Sequence, residues 1–237
     1  MTPDKFDRKI RNWISDVSKA GCTVNKVETI SEIRKKNGNL LFALLDVDVR
    51  SPEGVRLPNI AFIRGHACLI VTLLKNKDTG EEKYLMVRQR RIGNGQLSLE
   101  FPAGMLDEES DASQVIIREL LEETGLEVLP TEIFPLTDRI LYSSAGACDE
   151  GIYYFGCIKE LDNNQFCSFR GRKGGNPEEN EDITVVLMSR EEAEPQCTSL
   201  QARFGFFLFE KYLKLMRLTP VPANSDIHFQ RDREFVC

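Results

Sequence analysis

The sequence predicts an α/β fold (α+β in its segregation of elements), a mixed β-sheet sandwiched between helices, and three observations predict it. First, short apolar runs read as buried strands: residues 67–74 ("ACLIVTLL"), 84–89, 97–101, 151–158 ("GIYYFGCI") and 182–188 ("DITVVLM"). Second, two segments switch to a helical stripe. In 111–124, Ala112, Val115, Ile116 and Leu120 fall at i, i+3, i+4 and i+8, and 199–218 is a second long amphipathic helix. Third, these strands and helices interleave along the chain, which favours a sheet covered by helices.

Ahead of the sheet, Phe6, Ile10, Trp13, Ile14 and Val17 lie at helical spacing and predict an amphipathic helix over 6–17. Residues 40–49 and 55–63 flank the turn signal "SPEG" and read as a β-hairpin. Together they suggest a small N-terminal subdomain over 1–60, a main domain over 61–218 and an irregular tail over 219–237. Ser110 can cap the first core helix and Gly125 can end it. The polar, glycine-rich stretch 170–181 ("RGRKGGNPEENE") is expected to be a mobile loop.

With 237 residues, 41% of them hydrophobic, the chain can build one substantial core and a smaller appendage. Its apolar runs are too short to span a bilayer. The N-terminus mixes acids with bases and lacks the features of a signal or transit peptide, so a cytoplasmic protein without membrane contact is expected. Seven scattered cysteines and no CxxC pair argue against disulfides and a zinc site. A formal charge of −6 argues against nucleic acid held through its backbone. An anionic ligand would need a metal and a few placed arginines.

The chemistry concentrates in residues 100–128, "EFPAGMLDEESDASQVIIRELLEETGLEV". Glu119, Glu122 and Glu123 crowd one edge of the helix. An isolated pair of glutamates is ordinarily a solvated face. Here a hard divalent cation would relieve their repulsion, and the strand loop "PAG" could add the Ala103 carbonyl to the same point. The string matches the pattern G-x5-E-x7-R-E-U-x-E-E-x-G-U, with U aliphatic, at Gly104, Arg118, Glu119, Leu120, Glu122, Glu123, Gly125 and Leu126. It therefore resembles the Nudix hydrolases. One position departs from the pattern: Ser110 stands where the first glutamate should be, which keeps a catalytically weak, ligand-binding module in view.

Beyond the box, "EFPAGMLD" resembles the ADP-ribose and ADP-sugar pyrophosphatases, and "FIRGHACLIV" the ADP-sugar branch in particular. "SSAGACDE" (143–150) resembles that group's S-[PA]-G-x-x-x-E loop, with Glu150 as the matching acid. The resemblance covers about residues 59–218. It implies an α/β/α sandwich with an N-terminal subdomain that exchanges contacts in a homodimer. It also implies Mg²⁺, with Mn²⁺ as a substitute, held by Ala103, Glu119, Glu122 and Glu123, and Glu150 as base or extra ligand.

Arg64 and Arg91 resemble phosphate-contacting arginines, and Glu100, Gly104 and Glu181 join them as substrate-binding candidates. Arg118 is expected to orient the carboxylates through an ion pair. The implied reaction is hydrolysis of an ADP-sugar, ADP-ribose or ADP-glucose, to AMP and a sugar phosphate. UDP-glucose and nucleoside triphosphates remain alternatives. The paired tryptophans that clamp adenine in some ADP-ribose pyrophosphatases have no match, since Trp13 is the sole tryptophan.

Overall fold

Ile10, Trp13, Ile14 and Val17 form the inner face of helix α1 (Arg8–Lys19) and pack on a small antiparallel sheet. In this computed structural model, which describes residues 6–107, 109, 111–176 and 181–218, that sheet runs β1 (Thr23–Arg34), β2 (Leu40–Arg50), β3 (Ile60–Ile63), with β2 central. One face of β2 meets α1, so Ala43, Leu45, Val47 and Val49 alternate into the core.

Two features of this sheet depart from the sequence expectation. Strand β1 has no predicted counterpart, because Val24, Val27, Ile30 and Ile33 recur every third residue. Only Val24 and Val27 reach the core, across a register shift between Val24 and Lys26, while Ile30 and Ile33 stay exposed; further shifts fall between Thr29 and Ser31 and between Ile33 and Arg34. Each shift resets which face a side chain meets, and the two-residue period is lost. The predicted second hairpin strand also shrinks to Ile60–Ile63. Pro58 brings no N–H to a ladder, and the chain before it turns back through Ser51 N–H to Val55 O (2.8 Å) and Leu57 N–H to Val49 O (2.9 Å).

The larger sheet contains β4 (Ala67–Asn76), β5 (Glu82–Arg90), β6 (Leu97–Glu100), β7 (Ala103–Met105), β8 (Ile133–Pro135), β9 (Leu141–Tyr142), β10 (Gly151–Leu161), β11 (Lys173–Gly174) and β12 (Ile183–Met188). Its spine is ordered β11-β12-β5-β4-β10-β8, with β6 on β5, β7 on β4 and β9 on β10. β4 and β10 run parallel and the other pairs antiparallel, so the sheet is mixed.

β4 shows why the apolar run is continuous. Cys68, Ile70 and Leu74 enter one core with Val115, Ile116 and Leu120 of α2 (Ala112–Thr124) and Phe166 of α3 (Asn163–Ser168). Leu69, Val71 and Leu73 enter the opposite core, with Phe206 and Phe209 of α5 (Leu200–Leu218) and Ala193 of α4 (Arg190–Ala193). A strand covered on both faces has no polar side to show. Each aliphatic chain buried there contributes about 1.5–3 kcal/mol. The expected α/β/α sandwich is the observed one.

The two sheets are stitched where Phe62 of β3 bridges to the 143–150 loop, by Phe62 N–H to Ala147 O at 2.7 Å and Asp149 N–H to Phe62 O at 3.3 Å. At α2 the N-cap is Asp111, whose side chain accepts the Ser113 N–H; Ser110, expected there, lies outside the described residues. Gly125, at φ 73°, ends the helix as expected.

The expected loop over 170–181 instead contains β11, paired with β12 and packed on α2, while 177–180 lie outside the described residues. Gly174 makes that packing possible, since a Cβ there would collide with the Glu123 carbonyl. The tail 219–237 also lies outside the described residues. Among the described residues, no helix is long and apolar enough to cross a membrane.

Candidate active site

Strand β7 feeds into α2 at one end of the sheet, and their junction sets the carboxylates. Gly104 lies against Glu119 so closely that a Cβ at 104 would overlap the Glu119 side chain. The close approach explains why glycine leads the motif. On α2 the buried stripe of Val115, Ile116 and Leu120 faces the core, leaving Glu119, Glu122 and Glu123 on the edge toward a cavity of about 300 Å³.

That cavity brings together Arg64, Arg91, Ala103, Gly104, Arg118, Glu119, Glu122, Glu123 and Glu181. Two of the sequence candidates, Glu100 and Glu150, stand behind it, each holding one of the two phosphate-type arginines. Arg91 donates from Nε and Nη2 to the two oxygens of Glu100, at 3.0 and 2.7 Å. Burial alone would raise the Glu100 pKa, but Arg91 outweighs it and holds the carboxyl below its ordinary value. Arg64 Nε lies 2.9 Å from Glu150 Oε1 in an ion pair without an aligned hydrogen bond. Glu150 also accepts the Ser143 hydroxyl at 2.7 Å and is only 8% exposed.

Glu123 is the anomalous group. It is 3% exposed, and its Oε2 has no hydrogen-bond partner. Burial, followed by the negative charges of Glu119 and Glu181, pushes its pKa well above the ordinary carboxylate value; Arg91 and a hydrogen bond from the Ala103 backbone oppose this and lose. Arg118 is paired with Glu109 and lies 3.6 Å from Glu119 and 3.9 Å from Glu122, bridging the loop and the helix edge.

Among the described residues, no three acid, imidazole or thiol groups form a ready-made cage for a metal ion. The donor set nevertheless fits a hard divalent cation. It offers carboxylate oxygens, one of them buried without a partner, in a cluster whose mutual repulsion a cation would relieve.

Several lining residues carry no signal in the sequence. Lys35, in the turn between β1 and β2, enters the cavity wall from the N-terminal sheet, together with Leu41. Asp107 joins them, bound to Lys35 and to Lys9 at 2.8 Å each. Asp149 clasps the Arg64-Gly65 turn by accepting both backbone N–H groups, at 2.7 and 3.0 Å. Only the acidic "DE" ending of the 143–150 loop hinted at it.

A mixed sheet between helical layers, with a cleft where an acidic helix edge faces arginines, defines the class of protein: an α/β/α enzyme suited to an anionic substrate. Comparison with known proteins narrows it. The model of the NUDIX domain matches residues 66–204, more than half of the chain. The chain therefore belongs to the Nudix family, and it is a hydrolase.

It is 26% identical over 223 residues to Nudix hydrolase 14, chloroplastic, from Arabidopsis thaliana, covering 87% of this chain and 72% of that protein. A 46-residue stretch is 50% identical to putative nudix hydrolase 2 from Caenorhabditis elegans, 19% of this chain and 21% of that protein. A crystal structure of an ADP compounds hydrolase superposes with a TM-score of 0.56 at 18% identity, over 82% of this chain and 95% of that one.

Proposed function

We propose that the protein hydrolyses the diphosphate linkage of an ADP-sugar, ADP-ribose or ADP-glucose, to AMP and a sugar phosphate. The observation that carries this reading is the buried, partnerless Glu123 oxygen at the edge of a cavity shared with Glu119, Glu122, Arg64 and Arg91. Glu119, Glu122 and Glu123, with the Ala103 carbonyl, would hold Mg²⁺, or Mn²⁺ in its place. When bound, the ion supplies neutralisation of the diphosphate charge and a lower pKa for the attacking water.

The chain's own groups do the rest. Arg91, presented rigidly by Glu100, and Arg64 bind phosphate oxygens, for which the guanidinium fork is well matched. Glu181, whose charge acts on Glu123 and Arg91, also lines the cavity. Gly104 keeps room for Glu119. Arg118 positions Glu119 and Glu122. Glu150 becomes available as a base or further ligand when a substrate phosphate takes over Arg64.

Adenine as the base is supported by the motif similarity, and the solved relative described as an ADP compounds hydrolase is in keeping with it. Trp13 packs against the small N-terminal sheet and does not line the cavity, so a different surface must hold the base. We assign residues 61–218 to the hydrolase unit and 1–60 to a homodimerisation element. Support for the latter is the β1 edge strand, where Ile30 and Ile33 are 54% and 57% exposed. Cytoplasmic placement rests on the mixed acidic and basic N-terminal sequence, and the cysteines among the described residues, all free, are in keeping with a reducing compartment.

The test is AMP release from ADP-ribose, ADP-glucose, UDP-glucose and ATP with Mg²⁺. Turnover confined to ADP-sugars supports the reading. Turnover of UDP-glucose or ATP alone moves the substrate, and tight ADP-ribose binding without AMP release makes the protein a binding module. Light scattering that shows a monomer removes the dimer.

A further inference from the structure

Three elements converge on Asp107. It follows β7 in the loop that leads to α2, and it is the non-glycine residue with positive φ among those described, at 34°. Such a backbone costs energy and persists where its surroundings hold it. Here the holders are two lysines from the N-terminal unit. Lys9 of α1 reaches Asp107 Oδ1 at 2.8 Å and also donates to Leu41 O of β2 at 3.1 Å. Lys35 reaches Asp107 Oδ2 at 2.8 Å.

The two lysines differ in what they can do. Lys9 is 4% exposed and does not line the cavity. Lys35 is 26% exposed on its side chain and does line it, with Arg64 and Arg91. Its backbone is fixed by a tight turn, with Lys35 N–H to Asn39 O at 2.9 Å and Gly38 N–H back to Lys35 O at 2.9 Å. Asp107 keeps Lys9 if the Lys35 ammonium swings toward an anion, so the exchange strands no buried charge.

We propose that Lys35 is a diphosphate-binding residue, supplied to the active site by the N-terminal sheet and positioned by Asp107. This deepens the hydrolase reading above and rests on it for the identity of the anion. A lysine gives a compact, rotatable point charge where the arginines give fixed forks. It can thus adjust to the diphosphate while Arg91, forked on Glu100, stays in place. The N-terminal unit then takes part in substrate recognition, beyond any role in assembly.

The test uses the full chain and two probes that cannot be cleaved at the diphosphate: α,β-methylene ADP-ribose and methylenediphosphonate, each titrated calorimetrically with Mg²⁺. Lys35→Met is expected to weaken both by about tenfold, the effect of one charge-assisted hydrogen bond at a partly exposed site. Lys35→Arg is expected to restore most of the loss. On a cleavable ADP-sugar, Lys35→Met should raise KM with little change in kcat.

Equal affinity of parent and Lys35→Met for both probes overturns the proposal, as does loss in kcat alone. Binding of methylenediphosphonate that depends on Lys35, with no binding of the ADP-ribose analogue or of an α,β-methylene ADP-glucose, leaves Lys35 in place and sinks the ADP-sugar reading. Failure of the parent to bind either probe overturns both. Thermal unfolding of the variant within about 2 °C of the parent shows that the fold is intact, because the turn is exposed and Asp107 retains Lys9.

Discussion

Glu100 grips Arg91 through two parallel hydrogen bonds, 3.0 and 2.7 Å long, from a position behind the cavity that Arg91 lines. The glutamate is 14% exposed on its side chain and the arginine 46%. The acid is thus the anchored partner and the base the presented one. A fork held along one edge keeps its remaining N–H donors aimed at a ligand without losing rotamer entropy on binding.

Glu100→Gln should therefore act on affinity. The amide keeps one acceptor and loses the charge, and the second contact becomes donor against donor. We expect KM for the proposed ADP-sugar substrate to rise about tenfold with a smaller fall in kcat, in line with the ~1.5–3 kcal/mol of a hydrogen bond to a charged group. Steady-state kinetics on ADP-ribose check this, and an unchanged KM would remove Glu100 as the support of Arg91.

Glu123→Gln should separate activity from stability. Its carboxylate is buried, lacks a partner at Oε2 and faces Glu119 and Glu181. Removing that charge should cost at least about 100-fold in turnover if the group holds the ion that neutralises the diphosphate. The same change should raise the melting temperature in EDTA, and Mg²⁺ should stabilise the parent more than the variant. A steady-state assay reads the first, and differential scanning calorimetry with and without the ion reads the other two; a variant less stable in EDTA contradicts the assignment.

Asp107 gives the pH dependence. Burial alone would raise its pKa, but Lys35 and then Lys9 outweigh burial and hold it below the ordinary 3.8. For an acid whose folded pKa is depressed, the stabilisation is complete above the unfolded value and is lost as pH falls through the folded one. Asp107→Asn should be less stable than the parent by at least about 1 kcal/mol near neutral pH, because solvent screens only the partly exposed Lys35 contact and the buried Lys9 ammonium loses its carboxylate. The gap should stay constant down to about pH 5 and close progressively below the unfolded pKa. Urea unfolding at a series of pH values measures it.

Two glycines test the packing of α2. Gly104→Ala places a methyl on the Glu119 side chain, which can shift, so turnover should drop while the fold survives. Gly174→Ala meets the Glu123 backbone carbonyl, which cannot move without α2, and should destabilise by about 1–3 kcal/mol. Circular dichroism melts beside activity assays distinguish the two; equal destabilisation by both would mean that Glu119 has no freedom to give way.

Periodicity and the glycine-led glutamate pattern were enough to determine the sandwich, its main strands, α2 with its acidic edge and the family. Those signals are local: a strand buried on both faces must be apolar throughout, and a helix with one buried stripe must repeat it. Strand β1 escaped because its register shifts erase the period that a reader looks for. The partners at the site escaped for another reason. That Glu100 and Glu150 serve the arginines, that Asp149 clasps the Arg64 turn, and that Lys35 and Asp107 meet across 72 residues depends on long-range closure of the two sheets. Charge pairing at a distance leaves no spacing in the chain, so only the tertiary structure decides which acid holds which base.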